Sequence, residues 1–395
     1  MIKDKIKALA SQYYTDVVDI RHHLHQNPEL SFQEVQTGKY IAHKLQEYGI
    51  PYEHGIADNG VVGLIEGKNP SKKIIALRAD IDALPILEAN DVPYKSQNDG
   101  VMHACGHDVH TASLLGASRI LNELKPELEG TIKLIFQPAE ERFPGGASIM
   151  IKEGVLENPA PSGIIGQHVH PPLEAGTIGI KPGVYMASAD ELYLTIKGQG
   201  GHGALPQDCI DPVVIMAHVI TALQQIVSRK ADPTMPSVLT FGKVIANGAT
   251  NVIPNKVYLE GTFRTFDESW RKEAHKLMKN MVESICEGMG GSADFEIRVG
   301  YPSLLNNEAL TAKVKAQAIE FLGAENVIDL PIRMTAEDFS YYTHVIPGVF
   351  YRLGTGNKTK GITSPVHTNT FDIDESSLET SIGLMAWLAY SELHN

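Results

Sequence analysis

A chain of 395 residues exceeds what one hydrophobic core usually supports, so two domains are expected, and a hydrophobic content of 43% can fill both. The formal net charge is −13 and no Lys/Arg run is longer than two, which argues against nucleic-acid binding through a clustered basic surface. The N-terminus lacks a signal-peptide apolar stretch, no apolar run approaches the roughly 20 residues of a membrane span, and Cys105, Cys209 and Cys286 are too scattered for a disulfide framework. A reducing cytoplasm is the expected compartment.

Ile6, Leu9, Tyr13, Val17, Ile20 and Leu24 recur at three- and four-residue steps, so the chain opens with an amphipathic helix that Pro28 closes. Ser31-Phe32-Gln33-Glu34 reads as a capping box for a second helix, ended by Gly49. Strands follow at 61–66 and 73–78, a helix at 108–124, and strands at 131–136 and 163–169. Helices alternating with buried strands predict an α/β domain with a mostly parallel sheet, whose site lies at the carboxyl ends of its strands. Asp80, Asp82, Glu140, Glu141 and His168 all fall at or just past such an end.

Near residue 186 the pattern changes to polar–apolar alternation. Strand 190–197, helix 211–228, strands 237–246 and 256–266, helix 268–288 and strand 294–301 make β-α-β-β-α-β, the ferredoxin-like order. After Pro302 the α/β pattern returns, with a helix near 308–321, a strand at 348–353 and a last helix from Asp374. The expected organisation is a catalytic domain formed by 1–185 and 302–395, interrupted by a small α+β domain at 186–301.

The chemistry is densest at His103-Ala104-Cys105-Gly106-His107-Asp108-Val109-His110. Imidazole and thiolate hold borderline-soft divalent metals, and Gly106 lets the backbone turn so that Cys105 and His107 aim at one point. A lone cysteine is usually a packing residue; beside these imidazoles Cys105 reads as a ligand. Glu140 and Glu141 leave a strand in different directions, so one carboxylate can bind metal while the other takes a proton from water. His168 and His170 share a strand face, and His103, His110, Asp80 and the Glu337-Asp338 pair stay unassigned. His202 sits in the glycine-rich Gly198–Gly203 loop, as a lid residue would, and Asn251 and Arg264 offer an amide and a carboxylate-matching fork. Arg264 could equally serve a structural ion pair. No His-Glu-x-x-His, deaminase Pro-Cys-x-x-Cys, Walker loop or dinucleotide fingerprint is present.

Taken in order, Arg21–Glu29, Arg78–Pro85, His103–Asp108, Gln137–Glu141, His202 and His367 resemble the two-metal amidohydrolases, a family of aminoacylases, dipeptidases and glutamate-releasing carboxypeptidases. The likeness is greatest to the branch of bacterial aminoacylases, hippurate hydrolases and plant indole-acetyl-amino-acid hydrolases. The resemblance implies that Cys105, His107, Glu141, His168 and His367 hold two divalent ions (zinc, manganese, cobalt or nickel). It implies Glu140 as general base and Asp82 as an orienting carboxylate. A histidine ligand stands in the wider family where this chain has Asp80, so Cys105 belongs to an altered ligand set. The resemblance further implies a homodimer or higher homo-oligomer built on the inserted domain, with His202 reaching a partner's site to stabilise the oxyanion, and Asn251 and Arg264 on the substrate carboxylate. Hydrolysis of an N-acyl amino acid is the expected reaction. A dipeptidase or carboxypeptidase on the same scaffold, and a catalytically silent binder of amino-acid conjugates, are the alternatives.

Overall fold

The structure, a computed structural model, describes residues 2–394. The chain divides into two compact units, one comprising residues up to Gly183, Leu305–Pro331 and Asp338 onward, the other Val184–Leu304 and Ile332–Glu337. The short return at 332–337 lies outside the expected 186–301 insertion. It has no core of its own and so no periodic signal; it is held by Ala187 N–H donating to the Arg333 carbonyl at 3.2 Å.

The larger unit carries an eight-stranded sheet in the order Tyr52–Ile56, Gly60–Glu66, Thr131–Gln137, Ile74–Asp80, Ile164–Glu174, Gly348–Gly356, Ile178–Ile180, Val327–Asp329. The four central strands, from Thr131–Gln137 to Gly348–Gly356, run parallel; the neighbour on each side pairs with them antiparallel, and the edge strand Val327–Asp329 pairs parallel with Ile178–Ile180. Thr131–Gln137 and Gly348–Gly356 are buried along their whole length, the condition of a sheet covered on both faces.

Helices Ile2–Gln26, His107–Glu123 and Ser376–His394 pack against one another, and every apolar residue that defined the first helix in the sequence is buried. Gly116 sets their approach: a Cβ there would lie 2.6 Å from Ile382 Cγ2 and 2.7 Å from Val17 Cγ2. The second helix, Val35–Glu47, starts without a side-chain cap, because Ser31 and Glu34 turn inward to other partners. The capping box of the sequence reading is therefore not formed.

In the smaller unit, strands Asp190–Lys197, Ser237–Ile245, Lys256–Thr265 and Ser292–Val299 form an antiparallel sheet in which the first strand sits between the third and fourth. Helices Pro212–Gln225 and Glu268–Gly288 complete the β-α-β-β-α-β order. A π-helical turn, Ile226–Lys230, prolongs the first of them. The resulting Pro212–Lys230 helix has 19 residues and a mean hydropathy of 1.2, enough to cross a membrane by length and composition, although the sequence shows no unbroken apolar run there. Ile215, Val219, Leu223 and Ile226 are its buried face, and only 28% of its apolar window is buried.

Candidate metal centre

The parallel strands end on one side of the sheet and deliver the site there. Strand Ile74–Asp80 leads into Asp82, strand Thr131–Gln137 into Glu140 and Glu141, and His168 lies on Ile164–Glu174. His107 is the first residue of its helix, after Gly106 at φ +82°; a Cβ on Gly106 would meet Val169 Cγ2 at 2.6 Å, so the turn admits only glycine. Ala139 and His367 adopt positive φ (54° and 63°), a strained backbone for residues with a Cβ. Hydrogen bonds hold both: Ala139 N–H donates to Glu34 Oε1 at 2.7 Å, and His367 N–H to the Ala104 carbonyl at 2.8 Å.

Donor atoms converge in overlapping groups, each within 4.8 Å: Cys105, His107 and His168; Cys105, Glu141 and His367; His107, Glu140 and Glu141. Cys105 Sγ lies 3.3 Å from His168 Nε2, and His367 Nε2 lies 3.1 Å from Glu141 Oε1. His168 Nδ1 is 2.8 Å from the Val169 carbonyl, which can only accept; the ring proton is thereby assigned to Nδ1 and the Nε2 lone pair faces the cluster. His107 Nδ1 is 3.1 Å from Asp82 Oδ1, while its Nε2 is buried without a hydrogen-bond partner. Asp82 is fixed in turn by the Ser31 hydroxyl at 2.7 Å and the Glu141 N–H at 3.0 Å. A carboxylate that orients a histidine whose other nitrogen faces the donor cluster is the arrangement of a ligating imidazole.

These residues fit two divalent ions. His107 Nε2 lies buried without a hydrogen-bond partner, a costly state unless something else engages it, and the mixture of sulfur, nitrogen and carboxylate suits first-row metals. The electrostatics agree. Burial pushes the Cys105 thiol well above its usual range, and Glu141, Glu140 and Asp80 push it the same way. Burial would lower His107, but Asp80, Asp82 and Glu141 outweigh it and the imidazole is pushed up to about 10. The cluster thus carries excess negative potential, and a bound cation answers it while turning thiol into thiolate.

Asp80 and His110 gather with His107 within the same 4.8 Å, Asp80 Oδ2 lying 3.7 Å from His107 Nε2, but their hydrogen bonds belong to a buried frame. Asp80 accepts from Arg78 Nη1 at 2.7 Å and pairs with His110 Nδ1 at 2.5 Å, while His110 Nε2 accepts the Val169 N–H at 2.9 Å. Both nitrogens of His110 are therefore spent on structure. Arg78 also donates to Asp338 at 2.8 Å and Gln137 at 2.9 Å, and Asp338 N–H lies 3.4 Å from Glu140 Oε1. This buried frame, together with Ser31 and Glu34, was missed as such in the sequence. Arg78 and Gln137 open the Arg78–Pro85 and Gln137–Glu141 motifs, but nothing in their spacing reveals their partners. Among the described residues His170 joins none of the donor groups, and the nitrogens of buried His103 have no hydrogen-bond partner.

In the smaller unit His202 lies on a short exposed strand, Gly201–His202, paired with Val252–Ile253. Its Nδ1 accepts the Ala204 N–H at 3.0 Å, so the neutral ring carries its proton on Nε2. Asn251 is next to it, its carbonyl accepting the Gly203 N–H at 2.8 Å. Half-buried Arg264 donates to the Met334 carbonyl at 3.0 Å and pairs with no carboxylate among the described residues, so the structural ion pair is not what occupies it.

The profile of Peptidase family M20/M25/M40 matches residues 76–391. The chain belongs to this family. Within it the N-acyl-L-amino acid amidohydrolase of Geobacillus stearothermophilus is 44% identical over 306 residues, covering 78% of this chain and 82% of that one. The IAA-amino acid hydrolase ILR1-like 4 of Arabidopsis thaliana is 38% identical, covering 98% and 88%. The crystal structure of the Bacillus subtilis YXEP protein, described as a dinuclear metal binding peptidase of the family, superposes with a TM-score of 0.83 at 36% identity, covering 97% and 99%. Placement in this peptidase family, in its amidohydrolase branch, makes the protein a metallohydrolase with an α/β catalytic fold and a separate small antiparallel sheet.

Proposed function

We propose that the protein hydrolyses N-acyl-L-amino acids to a carboxylate and a free amino acid. The observation that carries this reading is the convergence of Cys105, His107, Glu141, His168 and His367 with the Glu140 carboxylate beside them. The names of the Geobacillus and Arabidopsis relatives support the substrate class. Those five side chains would hold two divalent ions, as the name of the YXEP protein suggests for that relative. When bound, the ions polarise the acyl oxygen and acidify water at the site.

Glu140 is the general base: it takes the proton of the attacking water and returns it to the leaving nitrogen. Asp82 keeps the His107 tautomer fixed throughout. His202, with its proton on Nε2, donates to the oxyanion of the tetrahedral intermediate. Arg264 and Asn251 engage the substrate carboxylate; the unpaired N–H groups of the Arg264 fork support this role. The protein acts as a homodimer through the inserted unit, with His202 serving the partner subunit. Helix Pro212–Lys230 is only 28% buried along its most apolar stretch and carries Val214 at 47% exposure, which supports that assembly.

The test is amino-acid release from a panel of N-acetyl, N-benzoyl, N-succinyl and N-indole-acetyl amino acids, with dipeptides alongside. Release from acyl conjugates at ten times or more the dipeptide rate is expected. Dipeptides turned over faster would make the protein a dipeptidase or carboxypeptidase. Tight conjugate binding without release would make it a silent binder.

A further inference from the structure

Arg21 and His25 stand one helical turn apart at the end of the first helix, before the span matched by the family profile, and the reading above gives them no role. Both are fully buried. Arg21 Nε donates to Asp108 Oδ2 at 2.9 Å, Nη2 to Asp372 Oδ1 at 2.9 Å and Nη1 to Glu375 Oε1 at 3.3 Å. Its guanidinium lies 4.5 Å over the Tyr94 ring, and the Tyr94 hydroxyl donates to the other oxygen of Asp372 at 2.9 Å. His25 Nδ1 is 2.8 Å from the same Asp108 oxygen, and its Nε2 is 3.3 Å from Glu88 Oε1.

The carboxylates that Arg21 engages lie on two different ligand-bearing segments. Asp108 directly follows His107, and Asp372 lies on the segment that leads away from His367. The helix end does not need this network for its own attachment, because Val17, Ile20 and Leu24 already bury it in the core. Burying a guanidinium is unfavourable unless its N–H groups are matched, and here they are matched across two segments that would otherwise be tied by the His367 N–H to Ala104 bond. A planar fork is the side chain that can engage two carboxylates at once; a lysine ammonium is a single point.

We infer that Arg21, seconded by His25, is a positioning residue that holds the segment carrying Cys105 and His107 in register with the segment carrying His367. The inference rests on the ligand set proposed above. Partners that orient ligands typically account for about 10- to 100-fold in metal affinity.

The experiment uses the full chain stripped of metal and titrated with Co²⁺ by calorimetry, with the cobalt–thiolate absorption reporting Cys105. Arg21→Gln is expected to bind Co²⁺ about 10- to 100-fold more weakly than wild type, the loss falling on the ion that draws on His367. Arg21→Lys should recover little of it. Asp372→Asn, at a half-exposed position, should reproduce part of the loss, and it decides the matter should Arg21→Gln not fold. Arg119→Gln removes a surface ion pair with Asp16 and serves as the control for stability alone; it should bind as wild type does. Wild-type affinity for both ions in folded Arg21→Gln or in Asp372→Asn would overturn the positioning role and leave the ligand set standing. A wild-type chain that takes up no ion would overturn the ligand set and this inference with it.

Discussion

In the proposed mechanism Glu140 and Asp82 divide the work of the site's carboxylates, and single substitutions separate them. Glu140→Gln keeps the shape of the side chain but removes the base, so turnover should fall by about 10²–10⁴-fold or more while metal content stays at the wild-type level. Asp82→Asn leaves Glu140 in place but loosens His107, and should lower metal affinity by about 10- to 100-fold. Glu34 makes a prediction of its own. Burial, and then the charge of Asp82, push its carboxyl up to about 7 from 4.5, so the folded state holds a proton that the unfolded chain gives up. The stability associated with that proton is present below pH 4.5 and is lost as pH rises through 7. Glu34→Gln retains an acceptor for the Ala139 N–H without the charge. Urea unfolding should show the variant gaining on wild type between pH 4.5 and 7, by on the order of 1–3 kcal/mol, and then keeping a constant lead. A lead that shrinks with rising pH would refute the assignment.

At the scale of elements, Gly106 is where one residue governs both fold and site. Gly106→Ala meets an unfavourable positive φ and the Val169 side chain together. It should destabilise the chain by about 1–3 kcal/mol and displace Cys105 and His107, seen as a lowered melting temperature with reduced metal uptake. Most elements were legible because their signals are local. The first helix shows in the spacing of Ile6 to Leu24, and the central strands show as unbroken apolar runs. What was not legible is long-range. Ser31 and Glu34 have the spacing of a cap, yet one secures Asp82 and the other the Ala139 turn, partners far along the chain. Arg78, Gln137 and Asp338 join only once the sheet is assembled, and the positive φ of His367 arises from a bond to Ala104 that no local pattern encodes.

At the scale of the whole molecule, the proposed assembly through the inserted unit is open to test. The exposed face of helix Pro212–Lys230 is proposed as the dimer surface; Val214→Asp should shift sedimentation from dimer to monomer. If His202 serves the partner's site, His202→Ala and Glu140→Gln chains, each inactive alone, should regain up to about half of a wild-type dimer's activity per mixed dimer, since one of its two sites has both groups. No recovery in verified mixed dimers would place His202 elsewhere in the reaction. On this reading the cluster is a two-ion hydrolytic site. It is tested most directly by stripping the chain of metal and adding zinc or manganese stepwise, with bound ions and amino-acid release from an N-acyl amino acid followed together. Two ions per chain are expected, with release that rises with their uptake. Release by the stripped protein, or folded protein that binds no ion, would contradict it.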